Sequence, residues 1–265
     1  MSRQTIVLEK LRQSTPAIVT FFVVIILWEY LIGTLKIFPE YLVPTPTAII
    51  SAAMKYSVTY WLHHVQVTVT ESLMGFALGS LVGLTSSIVI TYSSLVRRIL
   101  FPYLVVSQVV PKVAVAPLIV LWFGFGILPK IVISALMAFF PVVVATSTGL
   151  IDIETSLINL TRSFGATKWQ TFVKIRFPNS LKYMMTGMKL AIMSSFIGAI
   201  VGEFVASSEG LGYVVLIAEI SLNAPAMFIS LGLMIVIGIV LYNVVEFSSK
   251  KLIPWGIAVE LQVTE

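Results

Sequence analysis

Six long runs of apolar residues, divided by short stretches that hold most of the charge, leave this chain one kind of solvent to fold in. They cover about 17–35, 69–92, 99–123, 131–151, 184–206 and 227–247, each close to the roughly 20 residues a helix needs to cross hydrocarbon. Of 265 residues, 58% are hydrophobic and only 11% are charged. A water-soluble domain carries about 25% charged residues, so this chain lacks the charge to cover a water-facing surface. The expected fold class is therefore an all-α membrane protein with six transmembrane helices in a lipid bilayer. The first run follows Arg3, Lys10 and Arg12 as a signal peptide would, but it is too long and lacks a small-residue cleavage site, so it reads as a retained span.

The basic residues set the orientation. Arg3, Lys10, Arg12, Arg97, Arg98, Arg162, Lys168, Lys174, Arg176, Lys182, Lys189, Lys250 and Lys251 fall on one set of loops; the alternate loops and the broken third run hold only Lys36, Lys55, Lys112 and Lys130. By the positive-inside rule both termini are expected in the cytoplasm. The net charge of +5 then reflects inner loops, and no nucleic-acid partner is implied. The organisation expected is a cytoplasmic segment 1–16, a first span with an external interfacial segment 17–64, a core 65–249 and a cytoplasmic tail 250–265. Within 17–64, Pro39, Pro44 and Pro46 break the chain, and Tyr56, Tyr60 and Trp61 suggest an interfacial helix leading into the second span.

Lipid offers no hydrophobic drive for helix association, so small residues mark the seams. Gly75, Gly79 and Gly83 form one row in the second run, and Ser194, Gly198 and Gly202 form another in the fifth. The third run holds Pro102, Pro111 and Pro117 and is expected to be kinked or broken, its freed backbone groups satisfied by neighbours.

The loop 152–182 is too polar to span and too patterned to be a linker. Ile153, Leu157, Leu160 and Phe164 make one apolar stripe on a short helix that Asp152 or Thr155 would start and Gly165 would end. Thr167 would cap a second short helix, with Trp169, Phe172 and Val173 on one face, stopped by Pro178. Such a helix–elbow–helix either packs on the underside of its own bundle or serves as a knob on which a soluble motor pushes.

At this loop the chain resembles a known family. Ser163-Phe164-Gly165-Ala166-Thr167-Lys168-Trp169-Gln170 followed by Phe177-Pro178 looks like the cytoplasmic loop of binding-protein-dependent ABC importer permeases, which reads E-A-A, three residues, G, and then an apolar-Pro pair. Pro111-Lys112-Val113-Ala114-Val115-Ala116-Pro117-Leu118, Leu121-Trp122-Phe123-Gly124-Phe125-Gly126, Phe139-Phe140-Pro141, Gly210-Leu211-Gly212-Tyr213 and Leu252-Ile253-Pro254-Trp255 are similar to its nitrate/sulfonate/taurine-type branch. The resemblance implies the six-helix MetI-like permease fold in the cell inner membrane. It also implies separate ABC ATPase subunits, an extracytoplasmic solute-binding protein and a second permease subunit, expected to be a second copy. ATPase coupling would fall on Leu157, Asn159, Leu160, Thr161, Arg162, Phe164, Gly165, Ala166 and Pro178. The sequence departs from the pattern at E-A-A, which is Asn159-Leu160-Thr161 here, so the family's acidic contact is replaced by a neutral amide.

Charges inside spans are costly and mark candidate pathways. Lys112, between Pro111 and Pro117, is placed to meet an anionic substrate, to pair with an acid such as Glu203, or to snorkel to water. Glu203 is the other pathway candidate. Glu29 and Glu71 read as interfacial, and His63 and His64 as headgroup-level residues without further metal ligands. No cofactor is expected. With no G-x-x-x-x-G-K-[ST] loop and no H-E-x-x-H or G-x-S-x-G, the chain is not expected to be an enzyme. The competing reading is a self-sufficient, ion-coupled secondary transporter with Lys112 and Glu203 as its coupling residues.

Overall fold

A computed structural model describes residues 16, 19–107 and 109–253. Arg3, Lys10, Arg12 and the tail from Pro254, with the expectations placed on them, lie outside the described residues. Every described element is helical: α1 (Val19–Thr34), α2 (Pro46–Lys55), α3 (Val58–Tyr92), α4 (Ser94–Ser107), α5 (Lys112–Phe123), α6 (Ile127–Ile151), α7 (Thr155–Ser163), α8 (Lys168–Thr171), α9 (Phe177–Ala206), α10 (Leu211–Ile220) and α11 (Ala224–Leu252). Helices α3, α6, the continuous Lys168–Ala206 segment and α11 are long and apolar enough to cross a bilayer. Helix α1 and the pair α4–α5 account for the other two apolar runs. The break in that pair falls at Pro111, which stands at the N-cap of α5 in extended conformation, while Pro102 and Pro117 lie within helices. The short helix α10 was not foreseen.

Of the described residues, those up to Trp61 together with Val214–Gly232 form one compact unit. Its entry turn is fixed by polar caps. Thr45 accepts from the Ala48 amide at 3.1 Å, and the Glu29 carboxylate takes the Thr47 amide at 3.0 Å and the Thr47 hydroxyl at 2.7 Å. Glu29 is thus a cap for α2. Tyr56, which receives the Asn223 amide at 3.1 Å, stacks on Tyr60.

The second unit, Leu62–Tyr213 with the described residues from Leu233 onward, is built around α6. Helix α3 runs parallel to α6 on one side and α9 antiparallel on another, as the paired positions show. A Cβ on Gly79 would stand 2.9 Å from that of Ala138, and one on Gly83 would stand 3.0 Å from Val142. On the other side, a Cβ on Gly198 would lie 2.7 Å from Ser134 Cα, and one on Gly202 would lie 3.1 Å from the Lys130 stem. Gly75 is pressed equally close to Ser134. Backbones this near place serine hydroxyls within reach of the next helix. Ser134 donates to the Ser195 carbonyl at 3.0 Å, Ser195 to Ser72 at 2.7 Å and Ser87 to Val143 at 3.1 Å, so all three helices are cross-bonded. Ala138, Val142 and Ala191 fill the seam, and Ala116 and Ile119 of α5 join Ile133, Met137 and Val201 beside it.

Two of the basic residues counted with the loops are drawn into the helix bundle. Lys189 lies within α9 and pairs with Glu246 of α11, and Lys130 lies buried in α6. Each is held by an acid on another helix, so neither reports on a loop.

The same methyl group tests the seam at two glycines. Gly79→Ala is expected to cost about 1–3 kcal/mol by overpacking, read as a lower thermal unfolding midpoint in detergent. Gly232→Ala, where nothing lies within 4 Å of the added carbon, is expected to leave the midpoint unchanged or to raise it, alanine being the better helix former.

Candidate functional site

Helix α6 ends at Ile151 with unpaired carbonyls that the start of α9 completes. Arg176 Nη1 donates to the Leu150 carbonyl at 2.8 Å, and Asn179 Nδ2 donates to those of Gly149 and Asp152 at 3.1 and 3.0 Å. The Tyr183 hydroxyl donates to Asp152 Oδ2 at 2.5 Å. Asp152 is therefore held against α9 and does not start α7. Glu154 occupies that N-cap, without a side-chain cap, and Thr155 is the first helical residue.

Helix α7 stops where the glycine was expected to stop it. Gly165 has φ +73°, its amide donates to Arg162 at 2.9 Å, and the Ala166 amide donates to Thr161 at 3.0 Å. This is a Schellman closure, which asks for a residue with no Cβ. Thr167 then opens α8 through a reciprocal capping box with Gln170. Pro178 does not end that helix. A π turn over Phe172–Arg176 widens the spiral, with Phe177 donating to Phe172, and the chain runs on to Ala206. The local rule that proline stops a helix rests on its missing N–H and its clash with the preceding turn; the widened turn just before Pro178 leaves room for both.

Of the expected stripe, Leu157, Leu160 and Phe164 face outward and Ile153 is half-buried; Phe164 is 82% exposed. Ile158 is the buried residue of α7, and Asn159 and Arg162 are exposed. Trp169 and Val173 are exposed too, while Phe172 is buried between Trp169 and Tyr92, with ring centroids at 5.8 and 5.3 Å. The elbow is thus tied to α6 and α9 on one side and presents uncovered apolar side chains on the other.

The far end of the bundle carries a buried ion network. Glu71, Lys130 and Glu203 are all buried, and Lys130 pairs with Glu71 and donates to Ser207 Oγ at 3.0 Å. Glu203 lies close enough to both to interact with them. It accepts from the Thr68 hydroxyl at 2.6 Å and from the Gly212 amide at 2.5 Å. The Leu211 amide donates to Thr68 Oγ1 at 2.9 Å, and the Gly210 amide to His64 Nδ1 at 2.9 Å. Three successive amides at the start of α10 are thereby met by side chains from α3 and α9. They carry the partial positive charge of a helix N-terminus, about half a unit, which offsets part of the surplus carboxylate. Gly210, at φ +105°, lies against the Glu203 carboxyl where no side chain fits. Because His64 Nδ1 accepts a hydrogen bond, the imidazole is assigned as the neutral Nε2–H tautomer. His63 is exposed and pairs with Glu209 at 2.6 Å.

Sequence reasoning placed Glu71 and His64 at the interface; both are buried, because α3 begins at Val58 and carries them inside. Lys112 and Glu203 are not brought together. Lys112 is half-buried with its ammonium 4.4 Å from the Phe140 ring centroid, and Pro117 is exposed. Among the described residues no group of three or more His, Cys, Asp or Glu could hold a metal ion.

Comparison with known proteins gives consistent matches. Residues 75–254 match the family described as "Binding-protein-dependent transport system inner membrane component". A "Probable ABC transporter permease protein" of Haemophilus influenzae is 35% identical over 89% of this chain and 95% of its own length. The "Formylaminopyrimidine transport permease protein ThiX" of Halalkalibacterium halodurans is 32% identical over 89% and 93%. The "Putative aliphatic sulfonates transport permease protein SsuC" of Bacillus subtilis is 30% identical over 88% and 84%. Among solved structures, one titled "Inward facing conformations of the MetNI methionine ABC transporter" superposes with a TM-score of 0.63 at 18% identity, over 76% of this chain and 99% of that one, a likeness of fold.

Removing one partner of a buried pair strands the other charge. Lys130→Met is expected to lose about 3–5 kcal/mol of stability, measured by denaturant unfolding in detergent. Glu71→Leu/Lys130→Met, which removes both charges, is expected to recover most of that loss.

Proposed function

The chain belongs to the inner-membrane components of binding-protein-dependent transport systems, and from that premise we propose that force enters it through the elbow Asp152–Pro178. As a family member it is a multi-pass ABC transporter permease of the inner membrane, and ATP hydrolysis is the work of separate ATPase subunits.

The observation that carries the proposal is the exposed apolar face of α7, formed by Leu157, Leu160 and Phe164, on an elbow hydrogen-bonded to both α6 and α9. The ATPase covers this face, and movement there passes directly to the two helices at the centre of the bundle. Asn159, Thr161, Arg162 and Ala166 lie on the same short elbow, and Gly165 keeps its bend. The elbow end is cytoplasmic, in accord with Arg97, Arg98, Lys174 and Lys182 on the same end of the chain's spans, and both termini lie on that side. A second copy of the chain completes the pathway, and a solute-binding protein delivers cargo from the other side.

The cargo is a small solute of the classes named for the relatives, either a heterocyclic vitamin precursor or a sulfonate-like anion. Lys112 over Phe140 offers a cation and a ring to either. Pro117 shapes the same helix. Glu203 holds the start of α10 in place and is not free to coordinate cargo in this conformation.

Leu160→Asp/Phe164→Asp, reconstituted with the ATPase and binding protein, is expected to lower ATP-driven uptake at least tenfold and to weaken copurification of the ATPase. Unchanged uptake and ATPase copurification by that variant would overturn the role of the elbow, and uptake by the isolated chain on an ion gradient would favour the secondary-transporter reading instead.

A further inference from the structure

Helix α7 has a second face. Ile158 and Arg162 leave it roughly 150° around from Leu157, Leu160 and Phe164 at 3.6 residues per turn. They line an open-sided cavity of about 310 Å³ between the elbow and the helices beneath it. Four cationic side chains line that cavity, each from a different element: Arg97 of α4, Arg162 of α7, Lys168 of α8 and Arg176 of the π turn. Tyr92 and Phe172 supply an aromatic wall. No Asp or Glu lines it, and among the described residues none of the four cations forms an ion pair.

Arg176 is pinned by its bond to the Leu150 carbonyl, and Arg162 and Arg97 are close enough to repel it. Like charges converging on one space raise the free energy of the fold unless an anion sits among them. Guanidinium forks match the oxygens of a phosphate group in pairs. The cavity has the volume of about ten waters, room for a phosphate together with part of whatever carries it.

We infer that this cavity binds a phosphate-type oxyanion, held by Arg97, Arg162 and Arg176 with Lys168 beside them. The bound anion ties α7 to α4 and to the start of α9 while leaving the outer face of α7 free. Two sources carry this chemistry: the headgroup of an anionic phospholipid, and free phosphate in the aqueous phase. The inference rests on the proposed function only for which leaflet would supply a headgroup.

The full-length chain, purified in detergent without partners, tests it in two arms. Native mass spectrometry compares retention of phosphatidylglycerol with phosphatidylcholine, and equilibrium dialysis measures uptake of radiolabelled inorganic phosphate. Saturable binding in at least one arm is expected, weakened tenfold or more in Arg97→Gln/Arg162→Gln and unchanged in Lys174→Gln/Lys182→Gln. Selective retention of phosphatidylglycerol identifies the headgroup, and phosphate uptake identifies the free anion. If Arg97→Gln/Arg162→Gln fails to fold, judged by its thermal midpoint, Arg162→Gln is read in its place. Absence of binding in both arms, or equal loss in both double variants, overturns the site; the latter marks diffuse attraction of anions to a basic end. No ATPase takes part, so this result and that of the coupling experiment stand apart.

Discussion

The close approach of α3 and α9 to α6 is the constraint on which the rest depends. Lipid competes poorly for backbone-to-backbone contact, and glycine lets two helices come near enough for serine hydroxyls to bridge them. Gly79 and Gly83 on one side and Gly198 and Gly202 on the other grip the same helix. Because α6 is held along its length, its two ends have fixed neighbours. At one end Lys130 is brought to Glu71 past Gly202; at the other the last carbonyls reach Arg176 and Asn179. The elbow and the ion network are thus opposite ends of one rigid element.

That arrangement accounts for how a small loop can matter to a large bundle. Helix α7 has few interior contacts of its own; Ile158 is its buried residue. Its position comes from the bonds that join α6 to α9 beneath it, and its shape from the closure at Gly165. On the proposed function, a push on the knob is received by the two most deeply packed helices rather than absorbed in a floppy loop. At the far end, Glu203 and Thr68 hold the first amides of α10, so a shift of α9 along its axis bears on α10 as well.

Much of this was legible in the residues. The apolar runs gave the spans, the glycine rows gave the seams, and Gly165 and Thr167 marked the elbow's turn and second start. What escaped was set by register between distant segments. Glu71 opens an apolar run and reads as interfacial, but α3 starts roughly three and a half turns earlier. Lys130 reads as a loop charge until α6 is seen to begin at Ile127. Lys112 looked suited to Glu203, yet Glu203 is already engaged by Thr68 and Gly212, and nothing local to either residue announces that. Pro178 misled for the opposite reason: a sound local rule was relieved by a widened turn that has no sequence signature of its own.

Leu157, Leu160 and Phe164 give the outer face of α7 a surface of carbon, and the neutral Asn159 stands where the resembled loop pattern has a carboxylate. Contact made chiefly by removing such carbon from water draws on solvent entropy, which fades on cooling. It is also not weakened by ionic screening, which acts on charge rather than on apolar area. If the proposed coupling closes on this face, such a clutch grips more firmly when warm and slips in the cold, and brine scarcely loosens it.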